Sequence, residues 1–166
     1  MKIFGHSAHQ VLIVFPVGLL MTSLVFDLIA LATGSAQFWI VSYWLIAGGL
    51  IGGVVAAVFG ALDWSRVPGH TRANRIAILH GAGNTAVLLL FVASWSMRSV
   101  PELAAPSLAI LLSIIGASLL VVTGWLGGEL VARLSVGVDE HAHVNAPSSM
   151  ADNAIIEQRT SYRDAA

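Results

Sequence analysis

The residues of this chain best placed to do chemistry are His80 and Asn84, four apart inside the apolar stretch of residues 76–91. On a helix that spacing puts imidazole and amide on one face. A neutral imidazole can ligate haem iron, ligate another metal or relay a proton. Gly81 and Gly83 remove bulk beside it, so a flat macrocycle or a neighbouring helix could come close. His6 and His9, three apart, form the other imidazole pair and would share a helical face. A site built from His9 or His6 with His80 is the expectation. Residue counting places His80 deeper than these two by about 5–10 Å, at about 1.5 Å per residue. Without cofactor, His80 and Asn84 would serve as hydrogen-bonding glue between helices.

Carboxylates come next. Asp63 and Glu129 each close an apolar run and could complete a His/carboxylate metal site. Both also have structural readings. Arg133 follows Glu129 by four, the favourable order for a helix ion pair, and Asp63 has Arg66, Arg72 and Arg75 close in sequence. Asp27 falls inside an apolar run, where an ionised group needs a partner. Arg98 is the only basic residue at its end, so an Asp27–Arg98 pair across the molecule is expected. His141 and His143, beside Asp139 and Glu140, could catch a metal loosely; a solvated tail is the preferred reading there.

The elements that must hold these groups follow from composition. The chain has 166 residues, 57% hydrophobic and only 10% charged, with a mean hydropathy of +0.83. Soluble domains carry about 25% charged residues, so this surface is meant for lipid. Apolar runs cover residues 11–32, 38–62, 76–95 and 108–126. A run of about 20 residues spans a hydrocarbon core of about 30 Å, and the backbone in lipid must satisfy itself, which makes such runs helices. The expectation is an all-α integral membrane four-helix bundle, up-down-up-down. Its helices should cover about residues 8–32, 38–62, 73–97 and 107–131, within a domain of residues 1–134. Pro16 should kink the first helix. Residues 135–166 are polar and read as a disordered cytoplasmic tail. The first apolar run exceeds the 7–15 residues or so of a signal h-region, so it reads as a span.

Lys2, Arg66, Arg72, Arg75 and Arg133 gather at one end and Arg98 alone at the other, which puts both termini in the cytoplasm. Glycine pairs 48/52, 49/53 and 124/128 have the spacing that lets membrane helices approach. A net charge of −1 argues against nucleic acid, and the absence of cysteine excludes disulfides and thiolate sites.

Several strings carry a family resemblance: Gly5-His6-Ser7-Ala8-His9 through Phe15-Pro16-Val17-Gly18, then Asp63-Trp64, Pro68-Gly69-His70-Thr71-Arg72-Ala73, His80-Gly81 with Asn84, and Gly124-Trp125-Leu126-Gly127-Gly128-Glu129-Leu130. Together they resemble a bacterial family of small four-helix inner-membrane proteins, domain of unknown function 2231. The likeness runs from about residue 5 to residue 138. It implies a bacterial inner-membrane location, and fusions of some members to Rieske domains hint at electron transfer. The family's opening motif usually has prolines where Ser7 and Gln10 stand, and often a further histidine where Val14 stands. The leading expectation is therefore a redox membrane protein. It would hold b-type haem or another metal on His80 and His9, with His6, Asn84, Asp63 and Glu129 as further candidates, and exchange electrons with a quinone or an iron–sulfur protein. The alternatives are a non-catalytic scaffold or assembly subunit, whose glycine faces would bind another membrane subunit, and a small transporter subunit, in which four helices would need to dimerise as a homo-oligomer to enclose a path.

Overall fold

The computed structural model describes residues 2–3, 6–98 and 104–149. Two-residue strands β1 (Lys2–Ile3) and β2 (His6–Ser7) pair antiparallel, Lys2 opposite Ser7 and Ile3 opposite His6. Helices follow: α1 (Ala8–Leu12), α2 (Val14–Thr33), α3 (Ala36–Trp64), α4 (Arg72–Ser96) and α5 (Ser107–Ala132).

Each helix forms where a long apolar run meets a stop. Gly34 ends α2 in the left-handed region at φ 69°, and its N–H reaches Ala30 O, the glycine closure that spares a side chain the strain. Thr71 opens α4: its hydroxyl oxygen accepts from Asn74 N at 3.1 Å, a side-chain N-cap. Pro16 divides the first span. It has no N–H for the carbonyl of Leu12, four residues back, and its ring crowds that carbonyl. Helix α1 ends there, and the chain turns through Ile13 into α2.

Taking α1 and α2 together, the four spans have 26, 29, 25 and 26 residues. At about 1.5 Å per residue each exceeds the hydrocarbon thickness of about 30 Å. Large apolar side chains such as Val14, Phe15, Ile51, Leu89 and Val121 point outward. In water they would be a liability; against acyl chains they are solvated.

Helix α2 packs most extensively on α3, and α4 on α5. Contact pairs run in opposite order along each couple: Leu20 with Gly49 and Pro16 with Gly52, then Phe91 with Gly116 and His80 with Gly127. A Cβ at Gly53 would stand 2.5 Å from Leu88 Cδ2, so α3 and α4 meet closely too. The core at the crossing is Leu20, Ile46, Val87, Phe91, Ala117 and Leu120, drawn from all four spans. Gly48, Gly49, Gly52 and Gly53 thus serve packing. Gly124 and Gly128 do not: a Cβ on either would meet nothing within 4 Å.

The tail beyond residue 149 lies outside the described residues. Its start is not loose. Val136 N donates to Leu130 O at 2.8 Å, and Gln10 Nε2 donates to Val136 O at 3.4 Å, so residues 134–137 fold back over α1.

Candidate functional site

Two polar centres occupy the bundle, one toward each end. At the first, α1 inserts His9 beside the last two turns of α3. His9 Nδ1 is 2.8 Å from Ala56 O, and a Cβ at Gly60 would lie 3.1 Å from the same ring. From α4, His80 Nδ1 stands 2.8 Å from Thr123 O of α5, and Gly127 gives its ring the same close seat, with a Cβ 2.9 Å from Cε1. The two imidazoles meet edge to face, 6.2 Å between centroids and 89° between planes.

Depth is where residue counting misleads. His9 is not in water at the rim; it sits level with His80. Helix α3 continues to Trp64 and α1 lies alongside it, so His9 is carried into the bundle.

Hydrogen bonds fix the tautomers. A carbonyl oxygen only accepts, so both Nδ1 atoms carry hydrogen, and in the neutral ring the lone pair then falls on Nε2. Asn84 settles the remaining geometry. Its Nδ2 donates to His80 O at 2.9 Å and lies 3.2 Å from His80 Nε2, while its Oδ1 accepts from Thr123 Oγ1 at 3.1 Å. Thr123 is the residue the sequence reading missed. Its signal was the series Ser113, Gly116, Thr123 and Gly127, small or hydroxylated groups at helical spacing on α5.

The other candidates fall elsewhere. His6 is exposed in β2. Asp63 accepts from Ser7 Oγ at 2.7 Å and pairs with Arg66 at 3.4 Å. Glu129 corrects an expectation: its carboxylate meets Arg72 of α4, not Arg133. A side chain can reach across two packed helix ends as readily as along its own helix, and α4 begins opposite Glu129. Among the described residues, no group of three His, Cys, Asp or Glu side chains gathers to hold a metal ion. His141 and Asp139 approach to 3.5 Å, both exposed.

The second centre joins Asp27 and Arg98. The guanidinium donates through Nη1 and Nη2 to both carboxylate oxygens, at 2.7 and 2.6 Å, and both side chains are all but inaccessible. Ser42, Ser94 and Ser113 surround it at 3.3 to 3.4 Å. Asp27 belongs to α2, Ser42 to α3, Ser94 to α4 and Ser113 to α5, so one guanidinium ties all four spans. Such a planar fork suits a desolvated carboxylate. Arg98 Nε and Trp95 Nε1 are buried there without a partner among the described residues.

A family model described as predicted membrane protein (DUF2231) matches residues 5–140. This chain belongs to that family. The match takes in both polar centres, the five helices of the described residues and the fold-back at residues 134–137, so each is part of the DUF2231 unit rather than an appendage. No curated protein and no solved structure matches the chain.

Proposed function

We propose that this DUF2231 protein is an electron-transfer component of a bacterial inner membrane, its four spans threaded up-down-up-down with both termini cytoplasmic. In this reading His80 and His9 hold the iron of a b-type haem. One observation carries it: two imidazoles from separate segments meet, each with Nδ1–H committed to a backbone carbonyl, which in the neutral ring leaves Nε2 as the ligating nitrogen. Metal-bound histidines are oriented in this way by their second nitrogen.

The donor set favours haem over a bare ion. A structural zinc ion takes four protein ligands, and no third His, Cys, Asp or Glu joins this pair among the described residues. Haem brings four nitrogens of its own and asks the protein for one or two axial ligands. Gly81, next to His80, has nothing within 4 Å of where a Cβ would stand, which leaves clearance on that side. When bound, haem would supply a one-electron iron couple. The chain's own part is to fix both ring tautomers through Ala56 O and Thr123 O. Asn84 would give up His80 Nε2 and keep its bond to His80 O. A quinone or an iron–sulfur protein is the proposed redox partner.

The absorption spectrum of the purified protein, with metal analysis, tests this. A Soret band that is lost in both His80→Ala and His9→Ala, with helicity retained, is the expected result. A colourless, metal-free protein rejects the reading. It would leave the second one, a scaffold subunit, which one observation favours: His80, Asn84 and Thr123 already satisfy one another across α4 and α5.

A further inference from the structure

A cavity of about 340 Å³ opens at the arginine-rich end of the bundle, lined by Ser7, Asp63, Arg66, Pro68, Ala73 and the fold-back residues 134–137. Its polar rim is Arg66, whose side chain is 65% exposed. Val67, Pro68, Ala73, Leu134 and Val136 make the walls apolar. The carboxylate within it, Asp63, is engaged by Ser7 and Arg66. Arg75 and Arg133 stand at the same end and form no ion pair among the described residues. Within the cavity Arg66 and Asp63 balance in charge, but Asp63 is held by Ser7 at 2.7 Å and Arg66 meets it only at 3.4 Å, so the exposed guanidinium is the cation the cavity can turn toward a ligand. Trp64, one residue after Asp63, is 47% exposed and donates its indole N–H to Asn74 Oδ1 at 2.8 Å. An exposed indole anchored by its N–H marks the headgroup level of a bilayer.

From this juxtaposition we infer that the cavity beside Arg66 seats the phosphodiester headgroup of an anionic phospholipid. A cationic rim at headgroup depth attracts the phosphate, and the apolar walls accept the glycerol backbone and upper acyl chain. A soluble anion would use the cation and gain nothing from those walls. The site stands independently of any haem, since none of its groups is His9 or His80.

The test uses the full chain reconstituted in vesicles of equal phosphatidylglycerol and phosphatidylcholine. It is then extracted in detergent and weighed intact by native mass spectrometry. Retained phosphatidylglycerol is expected in excess over phosphatidylcholine. Arg66→Gln should cut that excess about fivefold, the effect of one basic group at a membrane surface. Arg66→Lys should keep most of it, and Arg75→Gln should cost less than Arg66→Gln. Helicity by circular dichroism is read on each variant. Equal retention of the two lipids overturns the inference. So do equal losses in Arg66→Gln and Arg75→Gln, which describe diffuse attraction. Complete displacement by millimolar inorganic phosphate also overturns it, by showing a site for free anion.

Discussion

His9 and His80 lie edge to face, 6.2 Å between ring centres, and each ring rests on a glycine of a third helix: Gly60 of α3 beneath His9, Gly127 of α5 beneath His80. The contact depends on two helix backbones coming closer than any side chain allows. That closeness is the most exposed point for mutation.

Gly127→Ala should therefore displace the His80 ring, since the new methyl would stand 2.9 Å from Cε1. Overpacking of this kind costs about 1–3 kcal/mol. Unfolding in mixed detergent micelles measures it. Gly124→Ala, three residues earlier on an open face, should be silent within about 0.5 kcal/mol. Equal effects at the two positions would mean that His80 does not sit on Gly127.

Arg98→Ala should destabilise the bundle by about 3–5 kcal/mol, because Asp27 would be left charged and unpaired in a dry interior. Asp27→Ala strands the guanidinium likewise. The double variant Asp27→Ala/Arg98→Ala should lose much less than the two single losses combined, and a double-mutant cycle reads that coupling. Additive losses would contradict a direct pair.

Asn84→Leu removes one amide from three contacts, with His80 Nε2, His80 O and Thr123 Oγ1. Hydrogen bonds between membrane helices average about 0.6 kcal/mol, so a loss near 1 kcal/mol is expected. If haem is bound, its spectrum should shift while the pigment stays; loss of the pigment would make Asn84 a holding residue.

The chain has no cysteine, so single cysteines report sidedness cleanly. Ser35→Cys, between α2 and α3, and Gly69→Cys, between α3 and α4, should react with an impermeant thiol reagent from opposite faces of sealed vesicles. Labelling of both from one face would reject the threading.

The spans were legible because lipid imposes a single rule on every residue of a run, and the run lengths state it. Asp27 and Arg98 could be matched because Arg98 was the only base near its end and Asp27 lay inside an apolar run, where an ionised carboxylate demands a partner. Glu129 was assigned to Arg133 by helix spacing, and the structure gives it Arg72. Contacts between helix ends carry no periodic mark, so local spacing wins by default. His9 was set too shallow for a related reason. Counting residues along one helix says nothing about how far a neighbouring helix extends, and α3 extends far enough to enclose α1. Thr123 went unnoticed since its acting group toward His80 is a main-chain carbonyl, which every residue possesses.

The clasp between Gln10 and Val136 bears on how the molecule is made. A ribosome releases His9 long before Ala56, His80 or the segment that closes over α1. The opening stretch must therefore wait at the translocon, unlatched, until the last helix has emerged. A chain cut just after Ala132 would keep every span yet leave His9 on a door without a bolt.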